Sequence, residues 1–279
     1  MADLLDFPGL ENFLRAALAE DIGTGDVTTT CCVPEDARSR GVFRAKESGV
    51  ICGIGLIARV YALVSADVAV KPLVADGAHV AKGDIIAEIE GASRAVLTGE
   101  RVALNVLQRL SGIATRTAQA VATVSGTRAR IADTRKTTPG MRVLEKYAVR
   151  CGGGSNHRFG LSDGILIKDN HIAAAGGITN AVNAARLNAP HTLKIEVEVE
   201  TEAQLDEALA AGADIIMLDN MTIPQMAAAV ARVAGRALTE ASGNMGDRDL
   251  REVAQTGVDI ISIGALTHTV RAMDISLKF

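Results

Sequence analysis

The sequence contains no tryptophan, only two tyrosines and only five phenylalanines in 279 residues. Hydrophobic residues still make up 48% of the chain, so the interior has to be built from alanine, valine, isoleucine and leucine. Aliphatic interiors of this kind are typical of parallel α/β sheets, whose strands are buried on both faces. The length allows one large domain or two.

Basic runs and long apolar runs are also absent. The pI is near 5.8, which does not suit a protein with a nucleic-acid surface. No apolar run is long enough to cross a bilayer. The first residues include Asp3, Asp6 and Glu11, which is unlike a signal peptide. We therefore expect neither a nucleic-acid partner nor a membrane partner.

Cysteine is scarce, with four residues and no Cys-x-x-Cys pair. Cys31 and Cys32 are adjacent, an arrangement that suits neither a disulfide nor a metal site, and Cys52 and Cys151 stand apart in the sequence. This usage predicts reduced thiols in a cytoplasmic protein.

The first third of the chain predicts a small α+β domain. Leu10–Ala19 has helical spacing, and strand-forming residues recur over Ser39–Gly91. Gly23 and Gly25 could form a phosphate loop, but no strand precedes them and no Walker lysine follows, so an ordinary turn is the better interpretation. Ala75–Gly91 resembles the hammerhead motif of lipoyl and biotinyl carriers without their modified lysine, so we expect a small sheet beside a catalytic domain.

Thr98–Val124 predicts one long amphipathic helix. Thr98 would be its N-cap. Arg101 would then lie in the first turn, where the helix dipole disfavours a cation by about 0.3–1 kcal/mol. Two interpretations stay open: Arg101 pairs with Glu100, or it adds to an anion site at the helix N-terminus.

From residue 129 onward, strand and helix patterns alternate, which predicts a parallel sheet. Six units in about 150 residues fit an incomplete barrel better than an eight-unit barrel of about 250 residues, with a doubly wound sheet as the alternative. Gly212, Gly235 and Gly257 are placed as helix C-caps. The predicted elements are strands Ala129–Ala132, Ile165–Ile167, Leu193–Val199, Asp214–Leu218, Ala237–Glu240 and Val258–Ile263, and helices Thr201–Ala211, Ile223–Val233 and Asp247–Thr256.

The segment from Asp133 to His171 is cationic within an acidic protein. It contains seven lysines and arginines against four acids, a local charge of +3, whereas the whole chain carries −4. This contrast indicates a pocket for a polyanionic small molecule, with a solvated surface as the alternative.

Polar residues also gather where the predicted strands end, which is where parallel sheets bind ligands. A buried carboxylate is costly unless it is paired or holds a metal, so Glu198 and Asp219 predict a Mg²⁺ site, with internal ion pairs as the alternative. Ser242–Asn244 and Ile263–Ala265 offer uncharged donors that suit a phosphate monoester. Phosphoribosyl pyrophosphate with an acidic base would match the cationic segment, the carboxylate pair and the phosphate-binding loops together.

Six motifs are similar to those of quinolinate phosphoribosyltransferases, and the resemblance extends from about Glu20 to the C-terminus. The motifs are DTRKT (133–137), EKYAVRCGGGSNHR (145–158), ILIKDNH (165–171), LDN (218–220), EASGN (240–244) and IGALTH (263–268). The resemblance implies an α/β fold: an incomplete, seven-stranded α/β barrel over residues 111–279 and an N-terminal α+β open sandwich over residues 1–110.

The resemblance also implies a reaction. Phosphoribosyl pyrophosphate and quinolinate give nicotinate mononucleotide, pyrophosphate and CO₂ in a Mg²⁺-dependent step of de novo NAD synthesis. The implied assembly is a homodimer or a hexamer in which Arg101 enters the partner's site. The implied catalytic residues are Lys136, Lys168, Glu198 and Asp219, of which Glu198 and Asp219 hold the metal. The implied substrate-binding residues are these four with Arg101, Thr134, Arg135, His157, Arg158, Ser242, Gly243, Asn244, Ile263, Gly264 and Ala265.

Other functions fit some of these features. A paralogue found with molybdate transport genes shares many motifs, a barrel aldolase could form a Schiff base at Lys168 or Lys194, and an anion-binding regulatory protein would need no catalysis. The sequence contains no evident Ser-His-Asp or Cys-His arrangement. It also does not identify the group that protonates the carbanion left when CO₂ departs.

Overall fold

The computed structural model describes residues 7–279, so Asp3 and Asp6 lie outside the described residues. The chain forms two compact units. The first comprises residues up to 118 with 138–153 and 270–279, and the second comprises 119–137 and 154–269. Over residues 7–279, none of the helices has the length and apolarity needed to span a membrane.

The described helices are α1 (Leu10–Ile22), α2 (Val27–Cys32), α3 (Ile54–Val64), α4 (Ser93–Thr123), α5 (Arg142–Cys151), α6 (Asp169–Ala175), α7 (Ile178–Asn188), α8 (Glu202–Ala210), α9 (Ile223–Val233), α10 (Leu250–Gln255) and α11 (Ala265–His268). The described strands are β1 (Arg38–Ala45), β2 (Gly49–Val50), β3 (Ala69–Pro72), β4 (His79–Val80), β5 (Ile85–Ala92), β6 (Arg130–Ala132), β7 (Ile165–Ile167), β8 (Ile195–Val199), β9 (Ile215–Asp219), β10 (Leu238–Ser242), β11 (Ile260–Ser262) and β12 (Ile275–Lys278).

The first unit is built on a four-stranded antiparallel sheet in the order β12-β1-β5-β3. Strand β1 buries alternate residues, including Phe43, which pairs with Leu277 on one side and Ala87 on the other. The hammerhead-like segment forms β4 and β5, joined by a turn in which Gly83 has a φ of 103°. The predicted small sheet is therefore present.

Helix α4 begins at Ser93, five residues before the predicted start, so the prediction of Thr98 as its N-cap was wrong. The Thr98 hydroxyl instead donates to Asp26 Oδ2 at 3.1 Å. Arg101 consequently lies two turns inside the helix, where the dipole effect has faded, so the argument from the helix dipole was wrong as well. The misleading feature was Gly99, which looks like a helix boundary but allows close packing, because a Cβ there would lie 2.7 Å from the Tyr61 ring.

The start of the chain also differs in detail. Helix α1 continues to Ile22, and Gly23 ends it with a φ of 54°. The turn predicted around Gly23 and Gly25 is present. The short helix α2 that follows was not predicted; Asp26 caps it by accepting the Thr29 N–H at 2.9 Å.

The second unit is built on a six-stranded parallel sheet in the order β6-β11-β10-β9-β8-β7. Strands β7 to β11 follow one another in chain order, and the first strand, β6, lies beside the last. A doubly wound sheet would place its first strand inside the sheet, so this order identifies the incomplete barrel. The position of the implied seventh strand is taken by a single parallel bridge between Ser155 and Ala132.

The helices of the barrel end as their glycines predict, with a shift of one residue. Gly212, Gly235 and Gly257 have left-handed φ angles of 77°, 77° and 88°, and each directly follows the residue that caps helix α8, α9 or α10. Glycine adopts this conformation without a Cβ clash. Each helix therefore stops early enough for the chain to return to the next strand.

Candidate active site

A cavity of about 570 Å³ lies at the C-terminal ends of the strands of the second unit. Most of the residues that line it directly follow a strand or end one. They include Thr134, Arg135, Lys136, His157, Arg158, Lys168, Glu198, Asp219, Asn220, Glu240, Ser242, Gly243, Asn244, Asp247, Ser262, Gly264, Ala265 and His268.

The structure gathers nearly all of the predicted site residues around this cavity. Ile263 is the exception within the second unit, because its side chain is buried in the core. Arg101 belongs to the first unit, where it is exposed on α4. The roles of the gathered residues remain predictions, but their proximity follows from the strand order.

Asp133 fixes the cationic side of the cavity. Its buried carboxylate accepts hydrogen bonds from Asn156 Nδ2 at 2.5 Å and from the His157 backbone N–H at 2.9 Å. The loop after β6 is also held at Lys136, whose carbonyl oxygen accepts the Thr267 hydroxyl at 2.9 Å. Two cationic motifs that are distant in sequence are thus joined through one carboxylate.

Arg158 is a partly buried basic group of this wall. Its Nη1 donates to the Gly164 carbonyl oxygen at 3.2 Å. Burial, and next the positive charge of Arg135, lower the pKa of the Arg158 guanidinium below its usual value. Two guanidinium groups that repel one another in a partly buried site favour an anionic ligand between them.

Glu198 and Asp219 lie on the neighbouring strands β8 and β9 and line the same cavity. Glu198 forms an ion pair with Lys168, which is the arrangement that the sequence left as the alternative to a metal site. Asp219 accepts a hydrogen bond from Asn220 Nδ2 at 2.6 Å. Both carboxylates can still offer hard oxygen ligands to the cavity, so the donor set fits Mg²⁺.

The loop after β10 approaches the loop after β9 too closely for a side chain. Gly243 has a φ of 93°, and a Cβ there would lie 2.2 Å from Asn220 Oδ1. Asn244, the next residue, is also left-handed, with a φ of 52°. Because Gly243 has no side chain, the backbone N–H groups of this loop can approach a phosphate closely.

His157, Glu196 and Glu240 form a buried cluster that the sequence did not predict. His157 Nε2 lies 3.0 Å from Glu196 Oε2 and 3.6 Å from Glu240 Oε1. Its Nδ1 accepts the Arg158 backbone N–H at 2.7 Å, so Nε2 is the ring nitrogen that faces Glu196. Burial, and next the charge of Glu196, raise the pKa of Glu240 to about 7.

The alternation of acidic and apolar residues along β8 was the available signal for this cluster. It indicated that Glu196 and Glu198 share a face, but it could not indicate which residues of other strands they meet. Glu240 lies on β10, two strands away across β9. Its proximity to Glu196 depends on the curvature of the sheet.

Comparisons with known proteins agree over nearly the whole chain. Family models described as the N-terminal and C-terminal domains of quinolinate phosphoribosyl transferase match residues 26–111 and 113–278. A probable nicotinate-nucleotide pyrophosphorylase (carboxylating) of Bacillus subtilis is 48% identical over 268 residues, 96% of this chain and 92% of that protein. The nicotinate-nucleotide pyrophosphorylase (carboxylating) of Mycobacterium leprae is 44% identical over 98% of both chains.

The fold agrees with solved structures to the same degree. The nicotinate-nucleotide pyrophosphorylase from Francisella tularensis superposes with a TM-score of 0.93 at 40% identity, covering 100% of this chain and 99% of that chain. Both domain models, the relatives and the strand order of the barrel agree. The chain therefore belongs to the quinolinate phosphoribosyl transferase family.

Proposed function

We propose that this protein transfers the phosphoribosyl group of phosphoribosyl pyrophosphate to quinolinate with loss of CO₂, giving nicotinate mononucleotide and pyrophosphate in NAD biosynthesis. The observation that carries this proposal is a single cavity that combines a cationic wall, two carboxylates and a glycine-containing loop. Each part suits one part of the substrates. The relatives that support the proposal are named for the same reaction, read in either direction.

Quinolinate binds against the cationic wall. Arg135 and Arg158 can each hold a carboxylate through two parallel hydrogen bonds, and Lys136 adds a point charge beside them. The dicarboxylate then lies beside Arg158, which donates to the Gly164 carbonyl oxygen, and beside His157, whose backbone N–H donates to Asp133. These fixed groups align the ring nitrogen for attack at the anomeric carbon. Alignment of the two reactants is the main contribution of an active site to the rate of such a transfer.

Phosphoribosyl pyrophosphate binds across the later strands. Ser242, Gly243, Asn244 and Gly264 surround the 5-phosphate, and Glu198 and Asp219 face the ribose. Glu198 and Asp219 would hold Mg²⁺ directly or through water, and the bound ion would neutralise charge on the pyrophosphate. Lys168 then exchanges part of its ion pair with Glu198 for the departing pyrophosphate, because it is the cation nearest to that carboxylate.

The chemistry requires stabilisation of charge rather than a nucleophile. Departure of pyrophosphate leaves an oxocarbenium-like carbon, and the ring nitrogen of quinolinate supplies the electron pair that forms the new bond. The ribosylated nitrogen is positively charged. It stabilises the electron pair that remains on C2 when the adjacent carboxylate leaves as CO₂.

The proposed assembly is a homodimer or a hexamer in which Arg101 completes the site of a neighbouring subunit. The proposed location is the cytoplasm, which is consistent with the free Cys31, Cys32, Cys52 and Cys151.

A coupled assay tests the function. The protein is incubated with phosphoribosyl pyrophosphate, Mg²⁺ and quinolinate labelled in its 2-carboxylate, and pyrophosphate and labelled CO₂ are measured together. We expect equal amounts of both products, and little turnover when nicotinate, which lacks the 2-carboxylate, replaces quinolinate. Absence of both products with quinolinate would reject the function and favour the molybdate-associated paralogue or a regulatory protein. Reduction with borohydride in the presence of a sugar phosphate would trap an aldolase at Lys168 or Lys194.

A further inference from the structure

A second cavity, of about 340 Å³, lies at the opposite end of the barrel. Its lining includes residues at the N-terminal ends of the strands, such as Arg130, Ile165, Ile215 and Ile260. His157, Arg158 and Glu240 line both this cavity and the active-site cavity, whereas Glu196 lines only the second. The side chains of the buried cluster therefore separate the two cavities.

Glu240 is the acidic group that faces both cavities. Its residue is only 1% exposed, and its Oε1 has no hydrogen-bond partner among the described residues. A charged carboxylate with an unsatisfied oxygen would be strongly disfavoured at this depth. A neutral carboxyl group avoids that penalty and retains a proton that it can donate.

The surroundings of Glu240 explain why its neutral form is favoured more than in an ordinary glutamate. The charged or titratable groups that face it are Glu196, His157 and Lys168. His157 Nε2 lies closer to Glu196 Oε2, at 3.0 Å, than to Glu240 Oε1, at 3.6 Å, and the charge of Glu196 opposes a second negative charge beside it. Burial is the larger cause of the raised pKa of Glu240, and the charge of Glu196 is the next. The charge of His157, a hydrogen bond with Ser262 and the charge of Lys168 act in the opposite direction without reversing the shift.

We propose that Glu240 is the acid that protonates C2 of the pyridine ring as CO₂ leaves, and that it regains its proton from solvent through the second cavity. This inference rests on the proposed function. The C2–carboxylate bond breaks, CO₂ departs, and the electron pair stays on C2. In the same step that pair takes the carboxyl proton of Glu240 to form the C2–H bond, which leaves Glu240 as a carboxylate; the rate of CO₂ release therefore depends on this proton transfer. One solvent proton then restores the carboxyl group, so each turnover consumes one proton.

Other groups of the cavity are less suited to this step. The Nδ1 atom of His157 is engaged with the Arg158 backbone N–H, and its Nε2 is engaged with Glu196. Arg135 and Arg158 do not release protons at ordinary pH. Lys168 is engaged with Glu198. Glu240 combines a proton, access to the substrate cavity and a separate route to solvent.

A single-turnover experiment with Glu240→Gln tests the proposal. Glutamine keeps the shape of the side chain but cannot donate a carboxyl proton. Pyrophosphate release, CO₂ release and the phosphoribosyl adduct of quinolinate are followed by rapid quench. We expect CO₂ release to slow at least tenfold more than pyrophosphate release, with transient accumulation of the adduct. Glu240→Asp, which keeps the acid, should restore part of the coupling.

Glu200→Gln is the matched control, because it makes the same substitution at an exposed glutamate that directly follows strand β8. This variant should behave as the wild type. Equal slowing of both products in Glu240→Gln, or wild-type coupling between them, would overturn the role of Glu240. If that variant does not fold, the wild-type solvent deuterium effect decides: a slower CO₂ release in D₂O supports an acid and an unchanged rate opposes it. A wild-type protein that releases neither product would instead reject the proposed function.

Discussion

Arg135 and Arg158 contribute a geometry to the cavity as well as a charge. A guanidinium binds a carboxylate through two parallel hydrogen bonds, whereas an ammonium offers a point charge. We therefore expect Arg135→Lys to raise the KM for quinolinate roughly tenfold, equivalent to about 1.4 kcal/mol, with a smaller effect on the KM for phosphoribosyl pyrophosphate. Steady-state kinetics with each substrate varied in turn measures both constants. Equal increases would argue against placing Arg135 beside quinolinate.

Asp219 tests the proposed metal site without disturbing the ion pair of Glu198. Asp219→Asn removes one negative oxygen ligand while the amide can still contact Asn220. We expect the Mg²⁺ concentration for half-maximal activity to rise about tenfold or more, because Mg²⁺ prefers carboxylate oxygens, while the melting temperature stays close to the wild-type value. A titration that coincides with that of the wild type would indicate that Asp219 has no part in metal binding.

Glu240 should also make stability depend on pH. Its folded-state pKa of about 7 lies above the ordinary value of 4.5, so its favourable contribution is complete below pH 4.5 and is lost as pH rises through 7. Each pKa unit corresponds to about 1.4 kcal/mol. Urea unfolding at pH 5.5 and pH 8 should show Glu240→Gln gaining stability relative to the wild type at the higher pH. A difference independent of pH, as expected for Glu200→Gln, would contradict a neutral, buried Glu240.

Helix α4 and helix α3 offer a matched pair of glycines. Gly112 lies where α4 passes the C-terminal segment, and a Cβ there would be 2.2 Å from the Arg271 carbonyl oxygen, whereas a Cβ on Gly55 in α3 meets nothing within 4 Å. Gly112→Ala should destabilise the protein by about 1–3 kcal/mol through overpacking. Gly55→Ala should stabilise it by about 0.5–1 kcal/mol, because alanine is the better helix former. Thermal unfolding of both variants measures these effects; similar shifts would contradict the close contact at Gly112.

The elements that could be predicted from the sequence are those with strong local signals. Strand β7 and helix α9 have the predicted bounds, because an apolar run between polar loops and an apolar helical face both end sharply. Helix α2 was missed because its six residues, Val27–Cys32, have no apolar stripe, and the start of α4 was missed because Gly99 weakens the local helix signal. Those features depend on tertiary contacts, such as that between Thr98 and Asp26.

The candidate site shows the same division. Arg135, Lys168, Glu198 and Asp219 were predictable because they lie at or just after the C-terminal ends of strands, and these ends lie together in either candidate architecture. Glu240 follows the same rule of position, but its protonation depends on Glu196 across the barrel and on burial. The distance between Glu240 and Glu196 depends on the curvature of the sheet, which the sequence alone does not give.

On the scale of the whole molecule, one motif serves both compact units. The stretch EKYAVRCGGGSNHR begins on α5 in the first unit and ends in the second. Glu145, at its start, is fully buried and accepts hydrogen bonds from Arg109 at 2.6 Å and from the Thr138 N–H at 3.0 Å, which is a structural role. His157 and Arg158, at its end, line the active-site cavity. A continuous motif in the sequence therefore contains residues with two different tasks.

Arg101 gives the last prediction, which concerns the assembly. It is exposed on α4 of the first unit, and among the described residues it has no ion-pair partner. The proposed two-fold dimer would place it in the partner's active site, since an isologous interface presents each site with the other subunit's helix. Arg101→Ala and Lys168→Ala homodimers should each be nearly inactive. Random exchange between them gives about half mixed dimers with one intact site in two, so activity should recover to about a quarter of the wild type. No recovery, with exchange verified by differently tagged subunits, would show that Arg101 acts within its own chain.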